Sequence, residues 1–193
     1  MTSRLGWLTS LAVALAACHP TVSGSQTKVA SWLDEPQPAS WNAPGPSVPV
    51  APRISQAVNP RCRGLARPSE LEEDRRVRDR GWDLAGAYHG GWGIVVIRGT
   101  AGYDGMCRPR SYQDFVFVRG VFAGTLSPQA MDSRTDGALG RVFVQSGRRL
   151  TAEYARYTPA DPLCCPSGTT SVTFEIENDP PVLRPVSTST SSR

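Results

Sequence analysis

The chain has 193 residues, with 21 Lys and Arg against 17 Asp and Glu, for a formal charge of +4. Its basic residues are scattered and mostly lie near acids, so the basic stripe with interleaved aromatics that reads nucleic acid is missing, and nucleic acid is excluded as a partner. The charge is that of an ordinary solvated surface.

The N-terminus reads MTSRLGWLTSLAVALAACHP. Arg4 precedes an uncharged apolar run, Leu5 to Ala17, that falls short of the ~20 residues a membrane-spanning helix needs. A basic start, a short apolar core and small residues at its end mark an export signal over 1–17. Leu15-Ala16-Ala17-Cys18 resembles the lipobox of bacterial lipoproteins. That resemblance implies cleavage between Ala17 and Cys18, a diacylglycerol on the Cys18 sulfur and acylation of the new amino terminus. Two or three acyl chains anchor a protein durably, since each buried CH₂ contributes ~0.8 kcal/mol. His19 in place of aspartate permits, by the same resemblance, either the inner or the outer membrane. The domain is expected on the extracytoplasmic side.

Residues 18–60 carry the lipidated end and a segment rich in Pro, Ser and Ala, typified by PASWNAPGPSVPVAPR. Its prolines remove amide donors and fix φ, so neither helix nor central strand is expected, and the segment reads as an extended tether. Trp32, Leu33 and Trp41 are then expected to make transient contacts, with docking on the domain or on a partner as the alternative. One domain follows over 61–186, of a size that supports a single core, and a polar tail over 187–193.

The domain opens with one helix. Ser69-Glu70-Leu71-Glu72 has the form of a capping box. Acids crowd the first turn and arginines the last, as the macrodipole favours; Glu72–Arg76 and Asp74–Arg78 are spaced to pair, and Gly81 stops the helix. With only Leu71 and Val77 apolar, it should lie over an edge.

After Gly81 the pattern is strand and turn. GIVVI (93–97) and FVFV (115–118) are apolar on both faces and should be covered on both sides. Arg119-Gly120 should form a tight hairpin turn leading to VFAGT. RVFVQ (141–145) and LTAEYARY (150–157) form a second hairpin. SVTFEIE (171–177) alternates, with Val172, Phe174 and Ile176 on one face. The expected fold is mainly β: an antiparallel sandwich or open barrel of six to seven strands with one short N-terminal helix, α+β being the alternative.

No catalytic constellation emerges. His89 is the domain's one imidazole and reads as a turn or surface residue. Gly90, Gly91 and Gly93 suit a hairpin better than a phosphate loop, and Glu175 and Glu177 lie on a solvent face. No C-x-x-C or H-E-x-x-H occurs, so neither a metal site nor a cofactor is expected. The most suggestive stretch is TAGYDGMCRPRSYQDF (100–115), a candidate binding loop through Asp104, Arg108, Arg110 and Tyr112, with a structural crossover pinned by Cys107 as the simpler reading.

The runs YDGMCRP, FVFVRGVFAGTLSPQAMDSRTDGALG and LTAEYARYTPADPLCCPSG are similar to segments of LppP/LprE-type bacterial lipoproteins, over roughly residues 58–177. The resemblance implies an exported, lipid-anchored protein of largely undefined activity, and supplies no catalytic residue.

Export favours oxidation of Cys62, Cys107, Cys164 and Cys165. Four cysteines allow three pairings. A bond between the neighbours Cys164 and Cys165 closes a small ring outside ordinary disulfide geometry, so the expectation is that they diverge, one to Cys62 and one to Cys107. The sequence thus points to a non-catalytic, lipid-anchored envelope protein whose β domain serves binding or structural organisation at the membrane, its partner an envelope protein or a small ligand. A thiol–disulfide exchanger using Cys164 and Cys165 and a carrier of small apolar ligands are the alternatives.

Overall fold

The computed structural model describes residues 31–34, 41–43, 45, 47–54, 60–177 and 179–192. Residues 1–17, read as an export signal, lie outside the described residues, as do Cys18 and His19.

Among these residues the chain forms a 3-10 turn at Pro60–Leu65, one helix, α1 (Glu72–Arg78), and nine strands. They are β1 (Asp83–Leu84), β2 (His89–Gly91), β3 (Ile94–Tyr103), β4 (Pro109–Val118), β5 (Val121–Thr125), β6 (Leu139–Ser146), β7 (Arg149–Arg156), β8 (Gly168–Glu177) and β9 (Val182–Ser192). All pairing is antiparallel: β1-β3-β4-β5 with β2 also on β3, and a second sheet β6-β7-β8-β9. The architecture is the expected sandwich and does not close into a barrel.

The first sheet is covered on both faces, as its apolar runs require. One face turns Ile94, Val96 and Val116 toward Leu150, Ala152, Val172, Phe174 and Ile176 of the second sheet. The other packs Ile97, Phe115 and Phe117 against Val48, Val77, Trp82 and Phe122. Both expected hairpins form. Arg119 (φ 48°) and Gly120 (φ 80°) make the two-residue turn between β4 and β5. Such paired positive φ values match the twist of the flanking strands. On β8 Val172, Phe174 and Ile176 are buried, and Glu177 is exposed.

The strand count exceeds the expected six or seven for two reasons. β1 and β2 are only two and three residues long, too short to show a pattern. β9 continues through the segment read as a polar tail, pairing Ser187 with Thr173 and Ser192 with Gly168. Its polar side chains are at home there because most of β9 faces solvent.

The helix begins later than its capping box suggests. Leu71 is the N-cap, and Asp74 rather than Glu72 takes the free amides, accepting from Glu70 (2.9 Å) and Leu71 (3.0 Å). Arg67 holds Asp74 in turn, donating at 2.7 Å. Arg75 pairs with Glu72, and Arg76 reaches the Gly120 carbonyl and lies over the Phe117 ring. These contacts replace the expected Glu72–Arg76 and Asp74–Arg78 pairs.

The largest correction concerns the segment read as a tether. Trp32 is 6% exposed within the main core, edge-on to Trp41 and Tyr154, and donates to the Gly137 carbonyl at 3.2 Å. Asn42 donates to Thr125 and Leu183 carbonyls and accepts from the Thr125 amide, so it ties the two sheets together. Val48 joins the opposite core, where Trp82 donates to the Pro49 carbonyl and Arg80 to that of Val48. Proline richness rules out regular structure but not docking: anchoring needs only a few aromatic and polar side chains and places to receive them.

Candidate functional site

Between the two sheets, Ala85, Gly86, Ala87, His89, Arg98, Asp114, Gly140 and Val142 line a cleft of about 260 Å³. Its chemistry follows from register. Arg98 on β3 stands directly opposite Asp114 on β4, and His89 opposite Val96. Cross-strand partners share a face, so all three polar side chains lie on the side of the sheet that meets β6. The small residues on either side keep the space open.

Arg98 donates through Nε and Nη2 to the two Asp114 oxygens at 2.9 and 3.2 Å, and through Nη2 to the Leu139 carbonyl at 3.2 Å. Its guanidinium lies 4.4 Å from the centre of the Tyr112 ring, whose hydroxyl accepts from the Leu139 amide at 2.8 Å. The pair therefore bridges the two sheets. Burial pushes the Asp114 carboxyl up, outweighing the pull of Arg98 in the other direction. Burial alone would lower Arg98, but attraction to Asp114 leaves it raised. Three of the five guanidinium N–H groups are thereby used. Nη1 has no hydrogen-bond partner among the described residues. The exposed His89 ring likewise makes no hydrogen bond to them, and it lies within electrostatic reach of Asp114.

The sequence marked none of these three for binding, yet a signal was present. A base in VVIRGT and an acid in YQDFVFV interrupt strands that are otherwise buried, and charges inside a sheet must be paired.

The stretch proposed as a binding loop is a hairpin, with most of its residues in β3 and β4. Tyr112 is 2% exposed and belongs to the core. Asp104 stays within its own turn, accepting from the Met106 and Arg108 amides at 2.8 and 2.9 Å and pairing with Arg108. Burial works against its ionisation, but the Arg108 amide and guanidinium with the Met106 amide hold its carboxyl low. Arg110 pairs with Asp132 on a neighbouring loop. The structure does not bring these four side chains together around a common space. Glu175 and Glu177 pair with Arg149 and Arg184.

The cysteine pairing also differs from expectation. Cys62, at the turn before α1, bonds Cys107 in the β3–β4 turn, and Cys164 bonds its neighbour Cys165. The first bond pins the 3-10 turn to the first sheet. The second lies in the β7–β8 loop of the other sheet, where both cysteines are exposed. Asp161 organises that loop, accepting from the Thr158 amide and from the Ser167 amide and hydroxyl. Between the sheets, Tyr112, Tyr154, Phe174 and Trp32 fill the volume an apolar carrier would reserve for its ligand.

No curated protein and no solved structure matches the chain. Residues 92–179, from the β2–β3 turn to the β8–β9 turn, match the family described as LppP/LprE lipoprotein, the family the sequence resembles.

Proposed function

We propose that this is a lipid-anchored lipoprotein of the bacterial cell envelope, exported and held by acyl chains on Cys18, that binds a ligand rather than transforming one. The match of residues 92–179 to a lipoprotein family carries the reading, and Leu15-Ala16-Ala17-Cys18 supplies the attachment point. Docking of Ser31–Asp34 onto the sandwich leaves residues 19–30 between lipid and domain, a span of at most about 40 Å. The domain is thus held near the bilayer. Binding is assigned to the Arg98–Asp114–His89 cleft, which offers unused donors in a preformed recess. Cys18→Ala tests the anchor: the variant should leave the membrane fraction, and a variant that still sediments with membranes would contradict lipidation.

A second reading has one observation in its favour. Cys164 and Cys165 are bonded to each other on an exposed loop, where an external thiolate could attack one sulfur and release the other. An exchanger would catalyse reduction of a model disulfide by a dithiol, and Cys164→Ser/Cys165→Ser would abolish that turnover. Equal rates with and without the two cysteines would remove this reading.

A further inference from the structure

We propose that the cleft takes a small monocarboxylate, held end-on by Nη1 of Arg98 and closed over by His89. The inference rests on the binding role given to the sandwich, and names its ligand class.

Four observations carry it. The Arg98 fork is fixed by Asp114, Leu139 and the Tyr112 ring. A fixed guanidinium loses little freedom on binding, and its planar donors suit a planar carboxylate. The remaining donors, on Nη1, have no partner among the described residues, while the Arg98 side chain is 27% exposed. His89, on the strand beside that of Arg98, adds a second donor, and neither Gly86 nor Gly140 places a side chain in the way. The Asp114 charge is the fourth. It cancels most of the positive field of Arg98, so a phosphate dianion entering the cleft would meet a carboxylate with little net attraction. A singly charged carboxylate suffers that repulsion less and still gains the hydrogen bonds. At about 260 Å³ the cleft has room for a small ligand of up to about ten heavy atoms, below the range of drug-sized sites.

The experiment uses the full chain in detergent micelles, with backbone amide NMR at Gly86 and Gly140 as the readout. Acetate, lactate and succinate are titrated as probes, with inorganic phosphate and glycerol as comparisons. Saturable shifts with acetate or lactate support the proposal if Ala87→Phe, which fills the exposed side of the cleft, and His89→Ala each weaken binding about tenfold or more. The indole signal of Trp32 reports that both variants remain folded. No saturable shift with any carboxylate, or unchanged affinity in both variants, overturns the proposal. Saturation by glycerol or phosphate but not by carboxylates overturns the ligand class and leaves the binding role of the cleft standing.

Discussion

Asn42 occupies the space that a side chain on Gly124 would need. A Cβ at Gly124 would overlap the Asn42 carboxamide, and the glycine itself sits at φ +141°. The missing side chain on β5 is therefore what admits a polar group from far along the chain to bond Thr125 and Leu183 at once. Gly137 does the same for Trp32, since a Cβ there would come within 2.7 Å of the indole nitrogen. Both glycines are places where the N-terminal segment is received.

Gly124→Ala should therefore destabilise the protein by about 2–4 kcal/mol, combining overpacking with an unfavourable φ. Asn42→Ala should cost about 2–3 kcal/mol, because it strands buried carbonyls and an amide. The double variant should lose less than the sum, since removing the carboxamide relieves the clash. Denaturant unfolding of all three measures the coupling; strict additivity would mean the two sites do not touch.

Trp32→Ala should cost about 3–4 kcal/mol, as for other buried aromatics. Residues 31–34 and 41–43 should also become far more sensitive to limited proteolysis. A surface-like change of under about 0.5 kcal/mol would mean the segment is not docked.

Breaking the Cys62–Cys107 bond by Cys62→Ser/Cys107→Ser should remove about 4 kcal/mol. That follows from the chain-entropy relation applied to a sequence separation of 45. Cys164→Ser/Cys165→Ser constrains almost no chain and should change stability little. Mass spectrometry of unreduced peptides reads the pairing directly, and a Cys62–Cys164 or Cys62–Cys165 peptide would contradict it.

Asp161 is held at a pKa of about 2, chiefly by the Thr158 amide; desolvation opposes this, and the Ser167 amide and hydroxyl add to the lowering. An unfolded aspartate titrates near about 3.9. Because the folded value is the lower one, its contribution is complete above the unfolded pKa and is lost as pH falls toward about 2. Asp114 has the opposite sign. Its folded pKa is raised by burial, so the stability it lends is present below the unfolded value and declines as pH rises past it. Carboxyl carbon NMR should show Asp161 titrating well below Asp114, and the reverse order would contradict both environments.

Much of this fold was legible in advance, and the reason is local. The apolar runs at 93–97 and 115–118, the alternation at 171–177 and the Arg119-Gly120 turn each report their own burial or backbone conformation. What escaped depends on partners distant in sequence. Trp32 and Asn42 are anchored by their fit to Gly137 and Gly124, which no window around a proline-rich segment contains. Cysteine connectivity is likewise a property of the folded surface. Arg98 and Asp114 were visible as charges in buried strands, but their cleft arises only where Gly140 and Val142 of β6, distant in sequence, complete its wall.

The most direct test of the whole account is the mass of the mature N-terminal peptide from membranes of a cell expressing the full chain. Lipid anchoring predicts a peptide that begins at Cys18 and carries a diacylglyceryl group on its sulfur. A peptide beginning elsewhere, or an unmodified Cys18 in the membrane-bound protein, would contradict it.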